Sequence, residues 1–286
     1  MIDKNLVRKY IKPLYPIPSG MKRCGRIKDR IKCIIFDVYG TLFISESGDI
    51  RRGEYSAEDI LKIEDLLDRF NIRKDPEELL KDLFCAIQNE HAKSKDAGID
   101  FPEIEINKIW FGILKNNDIT MEQAILFAVE FELIVNPVYP MPHLKELIYS
   151  LKKLRIKTGI ISNAQFYTPY LFEWFLESDL EGLCFDTDII IFSYIFGCAK
   201  PSLSLFEIAE KNLRKKGIDP SYVLYVGNDM LNDIYPASII GFKTALFAGD
   251  ARSLRLRRND SRCKHTSYDI LVTDLIQLVN YIGLPE

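Results

Sequence analysis

Hydrophobic positions along the chain follow two rhythms. After Lys32 the run Cys33-Ile34-Ile35-Phe36 is continuously apolar, the pattern of a strand buried on both faces. Asp37-Val38-Tyr39-Gly40-Thr41 comes next, so the strand delivers an aspartate into a glycine-containing turn. From about residue 56 to 135 the pattern becomes helical. Ser56, with Asp59 three residues on, has the form of a capping box, and Asp75-Pro76-Glu77-Glu78 opens another helix with proline and acids in its first turn. Further helical periods cover 102–115 and 120–135, and a proline-rich stretch from Asn136 to Pro142 closes the block.

Alternation then sets in. The pattern predicts helices over 142–154, 170–176, 202–215, 231–240 and 272–282, and strands over 157–162, 182–185, 189–194, 222–227 and 243–248. Strands alternating with helices predict an α/β fold, a doubly wound parallel sheet with a Rossmann-like core. The helical block interrupts it after its first strand and reads as an inserted all-helical cap domain. The expected organisation is a basic N-terminal arm over 1–30, a core formed by 31–45 and 140–286, and a cap over 46–139.

Composition narrows the possible chemistry. With 286 residues, 47% hydrophobic, and a net charge of −3, the chain has no global field for nucleic acid or membrane. The arm is locally basic, with Asp3 and Asp29 its only acids, and is expected to lie along the domain. The late basic run Arg252 to Arg258 lacks interleaved aromatics, so no nucleic-acid partner is expected. The six cysteines are scattered and read as reduced thiols. No apolar run reaches signal-peptide or membrane-spanning length, and a cytoplasmic location is expected. His91, His143 and His265 stand beside no nucleophile. Carboxylates must therefore carry the chemistry, while no pattern fixes the oligomeric state.

Three other strand ends carry polar groups. Ser162-Asn163 follows one strand, Lys200-Pro201 precedes a helix, and Gly227-Asn228-Asp229 with Asn232-Asp233 follows another strand. In a parallel sheet all strand ends open on one rim, where ligands bind, so these residues and Asp37 can converge.

In this order the motifs resemble those of the haloacid dehalogenase-like hydrolase superfamily, over about residues 31–250. The resemblance implies a nucleophilic Asp37, hydrogen bonds donated by Ser162 and by the backbone near Tyr39, Gly40 and Thr41, Asn163 as a further site residue, and Lys200 supplying positive charge. It also implies Mg²⁺ as cofactor, held by Asp37, the carbonyl of Tyr39 and Asp229, with Asn228 as an amide-oxygen substitute and Asp233 in or just outside the ligand set. The leading expectation is a Mg²⁺-assisted phosphatase acting on a small phosphorylated metabolite.

Two departures matter. Phosphatases of the superfamily carry a second aspartate two residues past the nucleophile, where this chain has Tyr39, and a positioned general acid is worth about 10²- to 10⁴-fold. Asn228 stands where the family commonly has aspartate. Tyr39 resembles instead the metal-free 2-haloacid dehalogenase branch, but that branch's tyrosine six residues past the lysine is Phe206 here. Arg51, Arg52 and Arg69 are the candidates for its substrate arginine. Carbon–halogen hydrolysis therefore stays open, as does a catalytically reduced member that binds a phosphorylated ligand.

Overall fold

The computed structural model describes residues 7–46 and 55–282. Its main sheet has seven strands in the order β1-β9-β8-β7-β2-β5-β6. These are β1 (Cys24–Gly25), β2 (Cys33–Phe36), β5 (Lys157–Ser162), β6 (Phe185–Phe192), β7 (Val223–Gly227), β8 (Lys243–Phe247) and β9 (Ile270–Val272). All neighbours run parallel except β1, which is antiparallel to β9.

Strand β2 lies at the centre because it is apolar on both faces. Its side chains alternate, so Ile34 and Phe36 enter one core layer and Cys33 and Ile35 the other. The first layer packs on α5 (Leu144–Lys153) through Leu144, Leu147 and Leu151. The second packs on α8 (Ser204–Lys215) through Leu205, Phe206, Ala209 and Leu213, the i, i+4 stripe of an amphipathic helix. Phe36 pairs in register with Ile160 of β5 and Val226 of β7, so the carboxyl ends of three adjacent strands lie side by side.

The cap comprises α1 (Ala57–Arg69), α2 (Pro76–Asp96), α3 (Ile106–Leu114) and α4 (Met121–Val135). Capping boxes at Ser56/Asp59 and Thr120/Gln123 and a side-chain cap from Asp75 start three of these helices. Their inner faces enclose a separate core around Leu66, Leu79, Trp110, Phe127 and Phe131. Strands β3 (Phe43–Ser45) and β4 (Val138–Pro140) pair antiparallel where the chain leaves and re-enters the core. Ser45 Oγ donates to Asn136 Oδ1 across this pair at 2.9 Å.

Elsewhere α6 spans Thr168–Leu176, α7 is the single turn Ser193–Phe196, and α9 spans Tyr235–Ile240. Several boundaries differ from expectation. The two strands predicted over 182–194 are one, β6, because an aspartyl turn at Asp179 ends only at Phe185. The predicted helix 231–240 begins as a wider π-helical turn over Met230–Ile234, and the predicted terminal helix is strand β9 followed by a 3-10 helix over Leu275–Tyr281. The N-terminal arm runs along the loop after β8. Ala251 N–H donates to Ile17 O at 2.7 Å, and Ser19 Oγ to Ala248 O at 2.6 Å. Farther back, Tyr10 meets the cap, donating to Glu130 Oε2 at 2.5 Å, while Arg69 pairs with the same Glu130 at 2.6 Å. Among the described residues, no helix is long and apolar enough to cross a membrane.

Candidate active site

Asp37 is the residue immediately after β2, and its backbone N–H still bonds to Val226 O of β7 at 2.9 Å. The turn that follows needs a left-handed residue, which Gly40 provides with φ +80°. A Cβ at Gly40 would lie 2.5 Å from Ser253 Cβ and 2.6 Å from Asn228 Nδ2, so the close approach also requires glycine.

The two carboxylate oxygens of Asp37 have different surroundings. Oδ1 accepts from Lys200 Nζ at 2.7 Å and from Ser162 Oγ at 3.0 Å. Among the described residues, Oδ2 meets only the Thr41 hydroxyl, at 3.3 Å. Lys200 reaches this point because Asn163 clamps its backbone: Asn163 Oδ1 accepts from Lys200 N at 2.7 Å and Nδ2 donates to Lys200 O at 3.3 Å.

Lys200 also donates to Asp233 Oδ1 at 2.6 Å and to Tyr225 OH at 3.2 Å, and Asp233 Oδ2 accepts from Asp229 N at 2.9 Å. Asp37, Lys200 and Asp233 are 6%, 5% and 1% exposed. Burial disfavours the Lys200 ammonium, but Asp233 and Asp37 outweigh it and hold its pKa above the ordinary lysine value. Burial also holds Asp233 above the ordinary carboxylate range, against the opposing pull of Lys200.

Asp229, expected as a metal ligand, has other partners here. Its carboxylate accepts from Arg257 Nε and Nη2, the shortest contact 2.6 Å, and its Oδ1 also caps Leu231 N and Asn232 N. It is therefore committed to a guanidinium and a helix start. The group aimed at the nucleophile is Asn228, whose Nδ2 donates to Ser253 O at 2.6 Å and whose Oδ1 meets the Thr41 hydroxyl at 3.2 Å. Thr41 has one proton for two acceptors, Asp37 Oδ2 and Asn228 Oδ1. A cation with oxygen preference fits beside such a pair, and Mg²⁺ is commonly held by only one or two protein oxygens plus substrate phosphate and water. No cluster of three or more His, Cys, Asp or Glu suited to a metal occurs among the described residues.

A cavity of about 320 Å³ extends from Asp37 toward the cap. Its floor is polar, with Asp37, Asn163, Lys200 and Asn228, whereas the cap side combines apolar Leu83, Ile87, Trp110 and Phe131 with the acids Glu103 and Glu132. Tyr39 lines it too, with its hydroxyl 2.9 Å from Thr168 Oγ1. Burial first, and Glu132 second, push the Tyr39 phenol above the ordinary tyrosine value.

Other expected residues are engaged away from the cavity or lie outside the description. Arg69 is held by Glu130 and Tyr10 in the cap, and Arg51 and Arg52 fall outside the described residues. Phe206 is fully buried and packs on Tyr225 with centroids 5.1 Å apart, so the hydroxyl next to Lys200 comes from Tyr225 instead. Sequence reasoning missed Tyr225, which looked like one more apolar strand residue. It also missed Ser253 and Arg257, which lie in a basic run with no motif, and the cavity-lining acids Glu103 and Glu132.

A model of the haloacid dehalogenase-like hydrolases matches residues 31–238, and the chain belongs to this hydrolase family, with a helical cap inserted between core strands. No curated protein matches the sequence. Among solved structures, the defluorinating L-2-haloacid dehalogenase Rha0230 aligns with TM-score 0.52 and 16% identity over 95% of this chain and 99% of its own. A 2-haloacid dehalogenase from Pseudomonas syringae pv. Tomato DC3000 aligns with TM-score 0.50 and 17% identity over 88% and 97%. The putative HAD-hydrolase YfnB from Bacillus subtilis, bound to magnesium, aligns with TM-score 0.49 and 16% identity over 90% and 100%. At such identities the likeness is one of fold.

Proposed function

We propose that the protein is a phosphatase with Asp37 as nucleophile, acting on a small phosphorylated metabolite. The observation that carries this reading is the asymmetry of Asp37. Lys200 and Ser162 fix Oδ1, while Oδ2 is left with one long hydroxyl contact and faces the cavity floor. A carboxylate held in this way is oriented for in-line attack, and its covalent intermediate splits one difficult displacement into two. Lys200 and Ser162 place positive charge and a donor beside the oxygens on which transferring charge spreads. Asn228 Oδ1 and the Asp37 oxygen not engaged in attack would hold Mg²⁺. When bound, that ion supplies further neutralisation of phosphoryl charge. The cap side offers apolar surface from Leu83, Ile87, Trp110 and Phe131 beside the acids Glu103 and Glu132, which suits a substrate with both hydrocarbon and polar parts.

A second reading, metal-free carbon–halogen hydrolysis, has its own observation in the pairing of Asp229 with Arg257, which removes a carboxylate from metal binding. One experiment separates the two. Hydrolysis of an aryl phosphate that requires Mg²⁺ and disappears in Asp37→Asn is the expected result. Chloride release from a 2-haloacid in the presence of a chelator, without phosphate release, overturns it.

A further inference from the structure

A phosphoester whose alcohol is weakly acidic needs a proton at the leaving oxygen, and a nucleophilic Asp37 cannot supply it. Most ionisable groups lining the cavity are committed elsewhere. Lys200 is fixed between Asp37 and Asp233, Asp229 is held by Arg257, and the Tyr39 hydroxyl meets Thr168. Two carboxyl groups remain, Glu103 and Glu132.

Glu103 receives the Ser193 hydroxyl at 2.7 Å, Ile104 N–H at 3.0 Å and Gln165 Nε2 at 3.2 Å, so its oxygens serve as acceptors that tie the start of α3 to the core. Glu132 differs. It stands on α4, in the cap wall of the cavity that Asp37 floors. Asn136 Nδ2 donates to its Oε1 at 2.9 Å, and that donor is oriented because Asn136 Oδ1 accepts from Ser45. Tyr167 holds Glu132 by a further hydrogen bond. Asp37, Tyr39 and Glu132 line the same cavity. The apolar surround of Val129, Leu133, Leu171 and Trp174 favours the neutral acid.

We propose that Glu132 is the proton donor and acceptor of the reaction, serving from the cap at the place where Tyr39 leaves no acid on the nucleophile's own turn. The proposal rests on the phosphatase reading above. In the first step an Asp37 oxygen bonds to phosphorus, the bond from phosphorus to the ester oxygen breaks with its electron pair on that oxygen, and the Glu132 proton passes to it. The alcohol departs. In the second step a water oxygen attacks the phosphorus of the aspartyl phosphate, its proton passes to the Glu132 carboxylate, and the bond to Asp37 breaks. Ester and water are consumed, alcohol and phosphate form, and both carboxyl groups return to their starting states.

The test compares p-nitrophenyl phosphate, whose leaving group needs no proton, with an alkyl phosphate, whose leaving group does. Because the second step is common to both esters, the comparison is made on kcat/KM, which reports the first step alone: Glu132→Gln is expected to lower it on the alkyl ester by about 10²-fold or more, and on the aryl ester by less than about tenfold. Retained aryl turnover shows that the variant is folded. An equal loss on both esters, or no loss on either, overturns the proposal. If Glu132→Gln does not fold, wild-type kcat/KM across esters of graded leaving-group acidity decides. A shallow dependence is expected, and a steep one overturns the proposal. Phosphatase turnover abolished by Asp37→Asn but unchanged in selectivity by Glu132→Gln overturns this proposal alone. Absence of any Asp37-dependent phosphatase turnover overturns the underlying reading together with it.

Discussion

Arg257 grips Asp229 through both Nε and Nη2, and so engages the carboxylate that was expected to hold a metal. Arg257→Ala is expected to leave Asp229 with its two backbone donors and no counter-charge. The cost is about 1–3 kcal/mol, read from urea unfolding. The freed carboxylate adds an anionic oxygen near the cation site, so Mg²⁺ affinity measured by titration calorimetry rises several-fold. Unchanged affinity would show that the ion pair is structural only.

Asn228→Asp reverses the amide's role. Nδ2 now donates to Ser253 O, and a carboxylate there would face a carbonyl with no proton to offer. Without Mg²⁺ the variant is expected to lose about 1–3 kcal/mol of stability, and saturating Mg²⁺ restores most of it. Thermal melts with and without the ion check this.

Lys200→Met removes the ammonium that pairs with two buried carboxylates. Breaking a buried pair typically costs about 3–5 kcal/mol, and here both Asp37 and Asp233 keep their neutral donors but lose their counter-charge. Adding Asp233→Asn to that variant is expected to recover part of the stability without recovering turnover, because the anion-stabilising charge is still absent.

Gly40→Ala tests the close packing at the nucleophile's turn. Positive φ and the contact to Ser253 together predict a loss of about 1–3 kcal/mol and an impaired kcat, whereas Gly217→Ala, equally left-handed but in open space, carries only the backbone penalty.

The pH dependence has a definite sign. Burial raises the pKa of both Glu103 and Glu132 in the folded chain. The native state therefore keeps protons that the unfolded chain releases, and stability from these groups is present below the unfolded carboxylate pKa and lost as pH rises through the folded one. Between acid and neutral pH these two groups are expected to lower the measured unfolding free energy. The fall should be shallower in Glu132→Gln.

The sheet and the cap were legible because the apolar run 33–36 and the capping signals at Ser56 and Asp75 are local patterns that tertiary packing leaves intact. Convergence of Asp37, Ser162, Asn163, Lys200 and Asp233 followed from their places at parallel strand ends. What local pattern could not express was competition for partners. Asp229 and Asn228 are adjacent, and which one turns toward Asp37 depends on Arg257 and Ser253, about thirty residues onward on a loop without periodicity. Tyr225 was hidden for the converse reason, since a tyrosine in a buried strand looks like packing until its hydroxyl is found on Lys200.

The contact of Ser253 with Gly40 and Asn228 spans 213 positions back to the nucleophile's turn. Contacts so distant in sequence are costly to close and form late. During synthesis the cap can fold on its own local contacts, but the floor beneath Asp37 lacks one side until the last eighth of the protein is made. A ribosome-bound chain stopped before residue 250 would therefore carry every motif residue and still be inert.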